Sequence, residues 1–278
     1  MKLSIITINR NHKKGLAATI KSAEEQTFRD FEHIIIDGAS TDGGAELARE
    51  YAAANPSFVK CVSEPDSGVY NAMNKGVAPS SGEYVQFLNS GDTLAAPDTL
   101  ARVFAVPRSA DIVYGDTFYR ERHGGPSLVK APPRLTPFAL YSMMVCHQAE
   151  LYRRELFAKF GAYDESIKIV ADSELSIRFL RNGATDERLG FALAVFEGGG
   201  VSAVPRFDAE REAFWNRFLG ASVRAEYEYM TGIFHENRRL ARELETPRAL
   251  WPNFVASMKW QFNAVFRKQS DKPPNGAK

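Results

Sequence analysis

At 278 residues, with 44% hydrophobic and 25% charged residues, the chain fits one large domain, or a domain with an appendage, able to bury a core. A formal net charge of +1 excludes a surface built throughout for nucleic acid, so no nucleic-acid partner is expected. Cys61 and Cys146 lack metal-ligand or redox spacing and read as buried free thiols; no leader-like segment precedes the first strand and no run approaches the roughly 20 apolar residues of a membrane span, so the expected location is cytoplasmic.

The first half alternates strands and helices. Leu3–Ile8 predicts a strand, and Lys14–Gln26 a helix with Leu16, Ile20 and Ala23 at helical spacing. Strand Glu32–Asp37 leads to helix Gly44–Ala54, and strand Phe58–Ser63 to helix Val69–Val77. Strand Glu83–Leu88, a helix near Pro97–Phe104 and strand Asp111–Tyr114 follow. This rhythm implies right-handed βαβ units, hence an α/β fold with a mostly parallel sheet flanked by helices. The continuous Ile and Val character of the strands fits burial on both faces.

After Gly115 the rhythm changes. Tyr119–Pro133 is rich in Arg, Gly and Pro and reads as a hairpin or a loop. Helical pattern returns at Arg153–Phe160 and Asp172–Arg181, the latter ended by Gly183, and Phe191–Phe196 reads as a strand before the turn Gly198-Gly-Gly200. From Phe207 to Glu245 the chain is charged and helical. The predicted organisation is a catalytic domain over 1–205, a helical extension over 206–270 and a disordered tail over 271–278.

Three predicted strands end in acids: Asp37, Glu64 with Asp66, and Asp92 after Asn89-Ser90-Gly91. In open α/β sheets that edge is where ligands bind. A carboxylate there can accept from the N–H edge of a uracil or guanine ring, or hold a divalent cation that in turn holds a diphosphate. Asp37 and Asp66 are the candidates for the base. Each also suits a helix cap, a role that fits Asp42 better, whereas Asp37 lies too far ahead of its helix. Asp172 opens a helix and is either a catalytic base or simply a cap of that helix, with Ser173 and Glu174 complementing its dipole.

The ordered segments Leu3-Ser-Ile-Ile-Thr-Ile-Asn9, Ile36-Asp-Gly-Ala-Ser-Thr-Asp42, Ser63-Glu-Pro-Asp-Ser-Gly-Val-Tyr-Asn-Ala-Met-Asn-Lys-Gly76 and Phe87-Leu-Asn-Ser-Gly-Asp92 resemble those of family 2 glycosyltransferases, in particular the bacterial exopolysaccharide branch with its colanic-acid enzymes. The likeness spans roughly residues 1 to 200. It implies a GT-A fold, an inverting mechanism and a nucleotide-diphosphate sugar donor. By position it implies that Thr7, Asn9, Asp37 and Asp66 line the nucleoside pocket and that Asp92 is the acidic end of an Asp-x-Asp motif for Mg²⁺ or Mn²⁺. It further implies that Asp172 is the base, and that His147 and Glu174 lie on the acceptor or diphosphate side. Two departures stand out: Ser90 and Gly91 precede Asp92 where relatives carry a first acid, and Asn71 stands where relatives commonly have Asp. Without the resemblance, His147 reads sooner as a structural histidine than as a site residue, and Glu174 as an i,i+4 partner of Arg178.

Between Thr246 and Ser270 there is no acid, and Trp251, Phe254, Val255, Met258, Phe262, Val265 and Phe266 share one helical arc. Such a helix suits an anionic membrane surface, a site on the catalytic domain or a homodimer contact. The resemblance points to a glycan or lipid-linked acceptor in cell-surface polysaccharide synthesis. A non-catalytic nucleotide-sugar-binding relative remains the alternative. A dinucleotide-binding oxidoreductase fails because Asn9-Arg-Asn-His follows the first strand, with no Gly-x-Gly-x-x-Gly.

Overall fold

The computed structural model describes residues 1–121, 125–143, 145–199 and 208–243. Two compact units are present, Met1–Gly220 and a second from Ala221 onward. In the first unit, parallel strands β1 (Leu3–Asn9), β2 (Phe31–Asp37), β3 (Val59–Ser63) and β4 (Tyr84–Phe87) lie in the order β3-β2-β1-β4. Helices α1 (Lys13–Glu24), α2 (Gly44–Ala54) and α3 (Val69–Val77) make the crossovers. The sheet continues through β8 (Glu150–Arg153), β6 (Ile112–Arg120), β9 (Asp186–Glu197) and the two-residue β5 (Thr93–Leu94). β8 runs antiparallel to both β4 and β6, β9 runs parallel to β6, and β5 closes antiparallel on β9.

Both faces of the sheet are covered, so β1 and β2 are buried along nearly their whole length. Ile34 and Ile36 pack with Ile6, Phe87 and Tyr152 beneath α3, α6 (Glu155–Phe160) and α7 (Ala171–Arg181), whereas Ile35 faces Leu16 and Ile20 of α1 and Ala48 of α2. Each fully buried Ile or Leu of this kind contributes about 1.5–3 kcal/mol. Of the stretch predicted as a hairpin or loop, β7 (Ser127–Val129) pairs antiparallel with Thr117–Tyr119 of β6. α4 (Thr99–Val103), α5 (Pro137–Ser142) and α8 (Asp208–Leu219) complete the unit, and Trp215 of α8 is buried in the main core. Both thiols are free, as expected; Cys146 is buried and Cys61 half-buried.

The second unit's described part is one helix, α9 (Ala221–Glu243), with ion pairs Arg224–Glu228 and Arg239–Glu236 on its surface. The aromatic, cationic helix predicted over 251–266 and the tail predicted over 272–278 lie outside the described residues. Among the described residues no helix is long and apolar enough to cross a membrane.

Candidate active site

The carboxyl ends of β1, β2 and β3 are in register, Asn9 beside Asp37 and Asp37 beside Ser63. Asp37 is fully buried, and its carboxylate accepts from Asn9 Nδ2 (2.8 Å), Ser40 N (2.9 Å), Ser40 Oγ (2.6 Å) and Ser63 Oγ (2.8 Å). Burial opposes ionisation, but these donors outweigh it and hold the acid below its ordinary range. Asn9 is likewise buried and accepts from Ser90 Oγ at 2.9 Å. Thr7 sits one layer deeper. Its hydroxyl donates to Leu88 O (2.7 Å) and meets His33 Nε2 at 2.9 Å, while burial pushes His33 down to about 4. With the Thr7 proton committed to the carbonyl, neutral His33 is the donor in that pair. Thr7, Asn9 and Asp37 therefore form the floor beneath the strand ends.

Asp66 lies on that floor. Its Oδ1 accepts from Gly68 N at 3.0 Å and has the exposed Arg10 guanidinium 3.9 Å away. Its Oδ2 rests so close over Gly38 that a Cβ there would lie 2.2 Å from it. A small cleft beside it is lined by Ser67, Gly68, Asn71, Glu165 and Lys168. Asn71 donates to Glu165 Oε2 at 2.9 Å, and Asn74 to Glu165 Oε1 at 2.9 Å. An Asp at position 71 could not make that bond, which gives the departure at this position a physical reason. Asp42 binds Lys13 N and Gly44 N, the starts of α1 and α2, in keeping with a capping role.

Beyond β4 the chain turns at Asn89–Asp92. Thr19 Oγ1 pins the turn, accepting from Gly91 N (3.0 Å) and donating to Asp92 O (2.7 Å). The Asp92 carboxylate is buried and accepts one bond on each oxygen, from Gln148 Nε2 at 2.9 Å and from Glu197 N at 2.9 Å. Burial pushes it up to about 6 despite those donors. Gln148 belongs to the 3₁₀ turn His147–Ala149, and the preceding residue in that turn faces the other way along the site. His147 Nδ1 lies 3.6 Å from Asp172 Oδ2, and His147 Nε2 lies 3.2 Å from Asn89 Nδ2. Burial disfavours the imidazolium, but Asp172, Asp92 and Glu150 outweigh it and raise His147 above its ordinary value. Asp172 stands in the first turn of α7, partly exposed, with Oδ1 accepting from Ser173 N at 2.8 Å. It is not the helix cap, since the capping position is Val170.

Two further residues join this cluster, Gln148, which the resemblance pairs with His147 near the acceptor or diphosphate, and Glu150, which belongs to no motif. Gln148 holds Asp92, and Glu150, buried at the start of β8, bonds Tyr152 Oη and leaves Oε1 without a partner. Burial pushes Glu150 up to about 7. The structure therefore brings Asp92, His147 and Asp172 to one place. Glu174 is not brought there: both its oxygens are held by Arg178, at 2.8 and 2.9 Å, and Arg178 also caps α6 through the carbonyls of Phe160, Gly161 and Ala162.

Four parallel strands, three of which run into acids at their carboxyl ends, followed by an antiparallel return through β8, define the GT-A class of α/β folds. Solved structures share it. S. aureus TarS 1–349 in complex with UDP-GlcNAc aligns with a TM-score of 0.60 at 20% identity, over 72% of this chain and 59% of that one. Mannosyltransferase PcManGT from Pyrobaculum calidifontis, in complex with GDP-Man and Mn²⁺, aligns with a TM-score of 0.56 at 16% identity, over 98% and 88%. The chain belongs to glycosyl transferase family 2, whose model matches residues 4–160. A PGL/p-HBAD biosynthesis glycosyltransferase of Mycobacterium tuberculosis is 37% identical over 187 residues, 65% of this chain and 70% of that one. An uncharacterized glycosyltransferase of the same species is 37% identical over 183 residues, 63% and 68%. The first of these is named for PGL/p-HBAD biosynthesis rather than for exopolysaccharide or colanic-acid synthesis.

Proposed function

We propose that this glycosyltransferase moves a sugar, with inversion, from a UDP- or GDP-linked donor to a hydroxyl of a glycan or lipid-linked acceptor, in a divalent-metal-dependent reaction at the cytoplasmic face of a membrane. One observation carries the reading: adjacent residues of a single 3₁₀ turn touch two separate acids, His147 facing Asp172 and Gln148 holding Asp92. A proton acceptor and a cation ligand thus flank one short element, as direct displacement at an anomeric carbon requires.

Asp172 takes the acceptor proton, and its partly exposed carboxylate in the first turn of α7 suits a group that must meet a substrate. Asp66 and Arg10 contact the nucleoside, while Thr7, Asn9 and Asp37 act from below by fixing the strand ends and Ser40. Asp92 still has lone pairs free after its two protein bonds, because an ionised carboxylate offers about four. Bound there, Mg²⁺ or Mn²⁺ supplies charge neutralisation for the departing diphosphate. Among the described residues no three His, Cys, Asp or Glu side chains converge to hold an ion alone, which suits a site completed by phosphate oxygens and water. Glu174 is a support for α6 and α7 in this scheme.

The test is release of UDP or GDP from a panel of sugar nucleotides with and without Mn²⁺. The expected result is metal-stimulated release by the wild-type protein, and a roughly 10²–10⁴-fold loss in Asp172→Asn with donor binding retained. Binding without release from any donor, supplied with candidate acceptors, would instead mark a non-catalytic relative.

A further inference from the structure

The turn Asn89-Ser90-Gly91 that precedes Asp92 offers no other acid. We propose that Glu197, at the end of β9, is the second protein carboxylate of the divalent-metal site. This rests on the metal-dependent reading above. The pairing of β5 with β9 sets the geometry: Thr93 lies opposite Val195 and Leu94 opposite Ala194 in an antiparallel ladder. Continuing that register past the strand ends brings Gly91 opposite Glu197. The contact is close. A Cβ on Gly91 would lie 2.3 Å from Glu197 Oε2, so the missing side chain at position 91 is what admits the carboxylate. Gly91 also has φ of +104°, a conformation that an aspartate in its place would strain to adopt.

Glu197 is tied to Asp92 by its own backbone, through the 2.9 Å bond from Glu197 N to Asp92 Oδ1. Its side chain is exposed and has no hydrogen-bond or ion-pair partner among the described residues. Neither acid has a lysine or arginine partner there. The Glu197 charge repels the Asp92 carboxylate, and a divalent ion between them would relieve that repulsion. Oxygen donors suit Mg²⁺ or Mn²⁺, which also keep waters and take phosphate oxygens. His12 borders the same spot, with Cε1 3.0 Å from the Gly91 Cβ position and Nδ1 3.1 Å from Ser90 O. Imidazole is the softer ligand, so His12 lies outside the assignment. The pattern explains how a lone acid in the Asn89–Asp92 turn can serve: the partner acid is supplied 105 residues later by a paired strand.

The experiment is Mn²⁺ titration followed by electron paramagnetic resonance, on the full chain, alone and with UDP or GDP. Wild-type protein is expected to take up Mn²⁺ with one of the nucleotides. Glu197→Gln is expected to weaken that uptake at least tenfold while leaving metal-free melting and metal-free nucleotide binding unchanged, and Glu197→Asp to recover part of the loss. Wild-type uptake in Glu197→Gln, alongside loss in Asp92→Asn, overturns the assignment and leaves the metal-dependent reading standing. Absence of Mn²⁺ uptake by the wild-type protein with either nucleotide overturns both.

Discussion

Gln148 donates from Nε2 to Asp92 Oδ2 across 2.9 Å, and the bond ties the turn after β4 to the turn before β8. The tie is reinforced from below, because Gln86 of β4 donates to the Gln148 carbonyl at 2.8 Å. β4 and β8 are hydrogen-bonded neighbours in the sheet, so any shift of one carries the other with it. His147 rides on the same turn and faces Asp172. The spacing between the acid assigned to the cation and the acid assigned to the proton is thereby set by sheet pairing rather than by a free loop.

That arrangement makes His147 a positioning residue with an electrostatic signature. Its raised proton affinity keeps positive charge beside Asp172 at pH values where an ordinary histidine is neutral. Replacing it by glutamine preserves hydrogen-bonding capacity and removes the charge. In His147→Gln the kcat/KM–pH profile is expected to lose the inflection that His147 contributes, because the titrating charge beside Asp172 is gone. An unchanged inflection with a uniformly reduced rate would reduce His147 to a packing role.

Glu150 and Asp92 predict a pH dependence of stability with a definite sign. Both acids are raised by burial, Glu150 from 4.5 to about 7 and Asp92 from 3.8 to about 6. Between those limits the folded protein holds protons on these acids that the unfolded chain has released, so their contribution to stability is greatest at the acidic end and falls as pH rises. For Glu150 the loss is on the order of 3 kcal/mol across the window. Because His33, lowered from 6.5 to about 4, makes stability rise with pH over part of the same range, the test is a difference: the melting temperature of the wild-type protein minus that of Glu150→Gln should fall as pH goes from 4.5 to 7.5. Parallel curves would show that Glu150 does not titrate there.

Much of the fold was legible because the parallel strands are local in character. Runs such as Glu32-His-Ile-Ile-Ile-Asp37 need burial on both faces, and α2 and α3 fall on the predicted residues. What stayed hidden was made by distant pairing. β5 has two residues and no periodicity of its own, and β6 and β9 extend each other well beyond their most apolar cores. The site divides the same way. Asp92, Asp172 and His147 stand next to turns and helix starts that the sequence marks, and they converge. The depth of Thr7, Asn9 and Asp37 depends on which side chains fill the space above them, which no strand pattern encodes. Gln148 and Glu150 had only faint signals, a polar residue beside His147 and a lone charge opening the apolar run Glu150-Leu-Tyr152.

Glu174 and Arg178 allow the clearest separation of support from chemistry. Arg178 forks both oxygens of Glu174 and donates to three carbonyls where α6 ends at Gly161, whose φ is +89°. A lysine keeps the charge but cannot present planar donors to five acceptors at once. Arg178→Lys should therefore cost about 2–3 kcal/mol of stability, and Glu174→Gln about 1 kcal/mol. Measured per folded molecule, turnover should be nearly unaffected by Glu174→Gln, since its carboxylate is turned to the α6 cap and not to the Asp172 cluster. Chemical denaturation and initial rates on the same samples decide the matter. A Glu174→Gln protein that melts normally and transfers poorly would return this residue to the acceptor side of the reaction.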